Sequence, residues 1–267
     1  MTESEVSIRQ TAVDGTVRLH LPELGAPARA MLETSVIDVV ERALSAGAVR
    51  VEAMVSAEDR AGIRAVQRAG LRREGVLRDA GRSLSDDPVD VVSLARVAGD
   101  PPLSDPLTFN RMLNASLPIK RAIGQALIRN SRGEVLLCQL SYKKFWDLPG
   151  GVVDPHESPA AAVRREVKEE LDVTIALHGL AAVTWLPPWR GWDDAVLFLF
   201  DARLDPADEA AIHLEPREIQ SLHWCDDAAI KQHAAAYTAR LIEQAVHAVD
   251  SGAGPVYLED GELPDWS

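Results

Sequence analysis

Residues 151–173 read GVVDPHESPAAAVRREVKEELDV. Ser158 is a favourable helix N-cap, and Pro159 suits the first helical position, where its missing N–H costs nothing. From Ala160 to Leu171 nothing breaks a helix, and Ala160, Val163, Val167 and Leu171 form an apolar stripe. At about 100° per residue, Glu166, Glu169 and Glu170 fall together on the neighbouring face. Carboxylates about 5–6 Å apart repel by roughly 3 kcal/mol per pair at an effective dielectric near 20. A solvated acidic face is the ordinary explanation of a Glu-rich helix. It leaves unexplained the preceding WDLPGG (residues 146–151) and the offsets of Glu157 and Arg165. A hard divalent cation suits the cluster better, because it takes oxygen ligands and keeps water and substrate phosphates in its shell.

The stretch resembles the Nudix box, G-x5-E-x7-R-E-U-x-E-E-x-G-U with U aliphatic. Gly151, Glu157, Arg165, Glu166, Val167, Glu169, Glu170 and Val173 match, and Asp172 stands where the family has its second glycine. That glycine follows the helix and ends it in a left-handed conformation, which Asp tolerates better than most residues. The resemblance spans about residues 118–250 and implies an α/β/α sandwich with a mixed sheet. Its flanks are consistent with that fold. Residues 122–128 and 134–140 are short apolar runs separated by a hairpin-like break at Asn130–Gly133. Residues 195–200 and 218–224 read as further strands, and residues 228–249 as one helix with Ile230, Ala234, Tyr237, Leu241 and Ala248 on one side.

The resemblance also implies an activity: a Nudix pyrophosphohydrolase, cleaving a diphosphate bond in a nucleoside diphosphate linked to another moiety. A nucleoside triphosphate and a nucleotide sugar both answer that description. It implies Mg²⁺, or Mn²⁺, on Glu169 and Glu170, with Glu166 as third ligand or general base. The carbonyl of Gly150 or Gly151 is a further ligand. Arg165 is expected to pair with Glu157 and hold the loop against the helix, and Glu218 is a second candidate base. Substrate choice is expected from outside the box. Three tryptophans, Trp185, Trp189 and Trp192, flank Arg190 on a proline-stiffened stretch, where an indole can stack on a base and a guanidinium can meet phosphate. Lys143, Lys144 and His156 could add charge near the phosphates, and Pro188 resembles the proline that ADP-sugar-hydrolysing members of the family often carry about this far beyond the box, which favours a nucleotide sugar. The alternatives are a nucleotide-sensing regulator on a Nudix fold and a bifunctional acetyltransferase–hydrolase.

Asp100–Pro106 is proline-rich and aperiodic, so residues 101–117 read as a linker between residues 1–100 and 118–267. In the first part, residues 17–21, 49–55, 71–78 and 89–97 read as strands. Helices are expected over residues 28–46 and 58–69, stopped by Gly47 and Gly70. The order, and the run Arg68–Arg78, resemble the C-terminal half of a GNAT-type N-acetyltransferase. Leu24–Arg29 has one glycine and Pro27 where that family cradles a pyrophosphate on backbone N–H groups. A truncated, noncatalytic half-domain is therefore expected, used for dimerisation or for covering the neighbouring site.

The chain has 267 residues and a net charge of −13, most of it after residue 100. That charge argues against nonspecific binding to nucleic acid or anionic membrane, so the expected partner is a small nucleotide, with a homodimer left open. No apolar run is long enough to span a bilayer, and the first residues do not read as a signal peptide. Cys138 and Cys225 lack metal-ligand spacing and read as buried thiols, which suits the cytoplasm.

Overall fold

Alternation of buried and open positions is clearest in Arg50–Ser56, the central strand of the first sheet. The strands of that sheet are β1 (Arg9–Val13), β2 (Thr16–His20), β3 (Arg50–Ser56), β4 (Arg72–Arg82) and β5 (Pro88–Val97). The computed structural model describes residues 8–22, 29–83, 85–209, 212–215 and 217–267. It divides into two units, Met1–Pro118 and Ile119–Ser267. In the first unit the strand order is β1-β2-β3-β5-β4, with only β2 and β3 parallel. Helices α1 (Arg29–Ser45) and α2 (Arg60–Arg68) cover one face, where Leu19, Val36, Val51, Val66, Leu71 and Leu94 are fully or almost fully buried. Asp59 caps α2 by accepting from the Gly62 N–H at 2.9 Å. Of Leu24–Arg29, which stands where the acetyltransferase family has its pyrophosphate turn, all but Arg29 lies outside the described residues.

The opposite face carries a charge ladder: Arg18 to Glu52 (2.7 Å), Arg50 to Glu52 (2.9 Å) and Arg50 to Glu74 (2.6 Å). The supposed linker is largely a helix, α3 (Pro106–Ser116). Its start repeats the logic of Ser158-Pro159: Asp105 accepts from the Leu107 N–H at 2.8 Å, and Pro106 occupies the first turn. The prolines that read as breaks include one that begins an element.

The second unit has a mixed sheet of order β12-β9-β10-β6-β8 and a two-stranded sheet, β11-β7. The strands are β6 (Arg121–Ile128), β7 (Val135–Leu140), β8 (Gly150–Val152), β9 (Ile175–Leu186), β10 (Ala195–Leu204), β11 (Ile219–Cys225) and β12 (Val256–Glu259). Alternation along β6 and β7 splits the interior in two. Leu127, Val135 and Leu137 join the core that includes Ile230, Leu241 and Ala245. Ala126, Ile128, Leu136 and Cys138 join the core that includes Val163, Val167 and Leu171 of α4 (Pro159–Leu171). Both faces are thus covered by helix, in a mixed α/β fold.

A short α5 (Pro206–Glu209) follows β10. The single helix expected over residues 228–249 is two, α6 (Asp227–His233) and α7 (Ala236–Ser251). Neither Gly nor Pro marks the break. It comes from pairing: the Trp146 N–H donates to the His233 carbonyl at 3.0 Å, and Trp146 bridges Ala234 in parallel. Trp146 is then stacked between His223 (3.8 Å) and His233 (3.9 Å). No helix among the described residues is long and apolar enough to cross a membrane.

The seat of α4 depends on Gly124 of β6. A Cβ there would stand 2.7 Å from Val163 Cγ2 and 2.9 Å from the Pro159 carbonyl oxygen, which belongs to the helix backbone and cannot swing aside. Gly124→Ala is expected to destabilise the second unit by about 1–3 kcal/mol through overpacking, read as a lowered midpoint in urea.

Candidate active site

Helix α4 is delimited as its sequence dictates. Ser158 Oγ accepts from the Ala161 N–H at 3.2 Å, and Asp172 ends the helix in the left-handed region (φ 56°). Lys168 Nζ donates to both the Asp172 carbonyl (3.0 Å) and its carboxylate (2.5 Å), which helps a non-glycine residue hold that conformation.

The helix meets the turn at Gly150–Gly151 through its carboxylates. The Gly150 N–H donates to Glu170 Oε2 at 3.0 Å. A Cβ on Gly151 would lie 2.5 Å from Glu166 Oε1, so the Glu166 carboxylate rests directly over that glycine. Arg165 ties the loop to the helix. It donates to Glu157 at 2.9 and 3.1 Å, to Glu166 at 2.9 Å, to Glu169 at 3.2 Å and to the Val152 carbonyl at 3.3 Å. His156 is exposed in the box loop with φ 68°.

Glu170 is only 5% exposed. Burial pushes its carboxyl up to about 8, and the nearby Glu166, Glu218 and Asp147 carboxylates add to the rise against the Gly150 hydrogen bond. Burial also raises Glu166, against the pull of Arg165. Glu218 is exposed at the turn before β11, yet its charge reaches both Glu166 and Glu170. Glu166 feels the charges of Glu169 and Glu218, and Glu170 those of Glu166 and Glu218, so the four carboxylates form one electrostatic cluster.

A neighbouring group escaped the sequence reading. Asp147 is 6% exposed and accepts from Gln125 Nε2 (3.1 Å), the Leu148 N–H (3.0 Å) and Lys143 Nζ (2.9 Å). Its charge is felt at Glu170 on one side and at Tyr237 on the other. The available signal was an Asp among the apolar Phe145, Trp146 and Leu148, four residues after a lysine. Lys144, by contrast, is exposed, its ammonium 5.2 Å from the Phe145 ring centroid.

The tryptophan stretch is a hairpin tip. Trp189 and Trp192 exchange backbone hydrogen bonds of 2.9 and 3.0 Å across Arg190 (φ 47°) and Gly191 (φ 86°). Both indoles are more than 60% exposed; Arg190 lies over Trp189 and Arg121 over Trp192, each at 4.6 Å. Trp185 is not part of this tip. It sits in β9, half-buried, and donates to Asp194 at 2.9 Å.

Known proteins share this segment. The NUDIX domain model matches residues 118–244. The second unit carries a Nudix domain. A Bacillus subtilis (strain 168) protein provisionally named 8-oxo-dGTP diphosphatase is 36% identical over 72 residues, 27% of this chain and 47% of that one. The RNA pyrophosphohydrolase of Rhodospirillum rubrum is 36% identical over 73 residues, 27% of this chain and 44% of its own. This chain thus spans about half the length of the curated relatives it matches. A solved MutT protein from Methanosarcina mazei Go1 is 28% identical with a TM-score of 0.41, covering 49% of this chain and 97% of that protein.

Among the described residues no three acidic, histidine or cysteine side chains converge closely enough to hold a metal ion as they stand. Arg165 accounts for this, because it draws Glu166 and Glu169 to itself while Glu170 turns to Gly150. The donor chemistry of the Nudix domain nonetheless fits a hard divalent cation: four carboxylates lie within electrostatic reach of one another, and the most buried resists ionisation for want of a counter-charge. Its pH dependence follows. Between about 4.5 and about 8 the unfolded chain gives up the Glu170 proton while the folded domain retains it, so this group's contribution to stability falls as pH rises and levels above about 8. In EDTA, Glu170→Gln is expected to be more stable than the parent at about pH 9, with the advantage vanishing towards pH 4.5. Saturating Mg²⁺ should then stabilise the parent and not the variant, as thermal melts can establish.

Proposed function

We propose that the Nudix domain hydrolyses a diphosphate bond in a nucleoside diphosphate linked to another moiety, with Mg²⁺ as its metal. The observation that carries this reading is the buried Glu170 carboxyl, raised to about 8 beside Glu166 and Glu218 at the Gly150–Gly151 turn. A cation bound there would neutralise phosphate oxygens and lower the pKa of a bound water. Glu169 and Glu170 are the ligands on this reading, with Glu166 as third ligand or base and a carbonyl of Gly150 or Gly151 alongside. Glu218, exposed at the rim, is the second candidate to take a proton from the attacking water. Arg165 positions the loop and the carboxylates through Glu157.

Of the two adjacent lysines, Lys143, anchored on buried Asp147, is on this reading the better placed for substrate phosphate: one ammonium donor is spent on Asp147 and two remain. Trp189 and Trp192, exposed on a rigid two-residue turn beside Arg190, offer a surface on which a base can stack. Trp185 supports that hairpin through Asp194. A pure nucleotide sensor has no need of the complete glutamate set, which weighs against that alternative. The first unit is read as a noncatalytic, GNAT-like half-domain, supported by its β2-α1-β3-α2-β4-β5 order.

The relatives are named for 8-oxo-dGTP and for RNA, so an oxidised nucleotide and a triphosphorylated RNA belong in the substrate panel with dNTPs, nucleotide sugars and dinucleoside polyphosphates. Mg²⁺-dependent turnover of at least one is expected, and Glu169→Gln with Glu170→Gln should lower it by about a thousandfold or more. Mg²⁺-dependent nucleotide binding with no turnover on any of them would replace the hydrolase by the sensor. Lys143→Met is expected to lower kcat/KM about ten- to a hundredfold, mainly through KM, with Lys143→Arg recovering part of the loss.

A further inference from the structure

Helix α3 leaves much of its apolar surface uncovered. Phe109, Leu113 and Leu117 are exposed, whereas Arg111, Asn114 and Ala115 line a cavity of about 290 Å³ against β4 and β5. A surface helix ordinarily buries its apolar side. Here the half-buried residues are Thr108, Met112 and Ala115, while exposed Arg111 and Asn114 border a gap beside the charged residues of β4, so that gap suits a polar occupant.

The charges around the cavity select its sign. Both acidic groups in the lining are already engaged: Glu74 with Arg50 at 2.6 Å, and Asp100 with Arg72 and with the Val97 N–H at 3.0 Å. Of the three lining arginines, Arg73 and Arg111 have no acceptor among the described residues, and Arg72 keeps donors beyond its bond to Asp100. Three guanidinium groups against two carboxylates leave the lining at +1, in a chain of net −13. Arg72 and Arg111 also border the same small crevice, together with Asp100 and Thr108, so the two residues share both spaces.

We propose that this cavity binds a small anion bearing a phosphate or carboxylate group, held by Arg72 and Arg111. A guanidinium presents a planar fork that matches either oxyanion through two parallel hydrogen bonds. The volume lies at the lower end for ligand pockets, which limits the occupant to a small metabolite or the free ion. Asn114 adds an amide donor at the helix side. The site lies wholly within the first unit and does not depend on the diphosphate-hydrolysis reading.

The test uses the full chain in EDTA, titrated calorimetrically with inorganic phosphate, pyrophosphate and citrate at ionic strength held constant with NaCl. Saturable binding of at least one anion is expected. Arg111→Ala, at an exposed position without a protein partner among those described, should weaken it at least tenfold, and Arg111→Lys should weaken it less. The Glu169→Gln, Glu170→Gln variant should bind like the parent. No saturable binding of any of the three anions, or binding unchanged in Arg111→Ala, overturns the proposal. So does a loss of binding confined to the glutamate variant, which would put the anion at the Nudix box.

Discussion

The contact between helix α4 and the Gly150–Gly151 turn is the constraint on which the second unit depends. It can form only because the strand side of the interface has no side chains. Gly124 admits the first turn of the helix, Gly151 admits the Glu166 carboxylate, and Gly150 offers its N–H to Glu170. A Cβ at any of these places would meet an atom at less than 3 Å. The same approach buries Val163, Val167 and Leu171, so packing of the core and placement of the acidic groups are one event.

That arrangement concentrates negative charge, and the domain manages it in two ways. Arg165 spreads one guanidinium over Glu157, Glu166 and Glu169, fixing the loop and two of the helix carboxylates together. Glu170 lies beyond its reach and answers by holding its proton. Asp147, buried a short way along the chain, is balanced instead by Lys143 and satisfied by Gln125 and the Leu148 N–H. Buried carboxylates in one neighbourhood thus have opposite solutions, set by which cation or backbone donor each can reach.

Local signals made much of this legible in the sequence. The N-cap of α4, its apolar stripe and its glutamate face follow from spacing within about one dozen residues; the Glu157–Arg165 pair is an expectation of the resemblance, and Asp172 is left-handed where the box has glycine. What escaped the sequence was decided by distant partners. The break between α6 and α7 exists because Trp146 pairs there, and nothing in residues 234–235 announces it. Helix α3 was hidden by prolines that read as breaks, although Asp105-Pro106 is as good a helix start as Ser158-Pro159. Asp147, Gln125 and Lys143 meet only once β6 and the segment before β8 lie side by side. Lys143 and Lys144 read alike on sequence, because nothing local distinguishes two adjacent lysines.

Strand β12 has a consequence for how the second unit keeps to itself. It returns from α7 to lie parallel along Ala182–Trp185, and the Asp260 N–H then closes onto the Trp185 carbonyl at 2.8 Å. Arg240 of α7 clasps the turn that follows, through the Asp260 carbonyl and carboxylate. Without those residues the outer end of β9 would offer open amides and carbonyls beside buried Ala182 and Thr184, a template for another chain's strand. The last strand thereby moves the sheet edge from twelve-residue β9 to a strand of four residues, fastened by an arginine to the helix that delivers it.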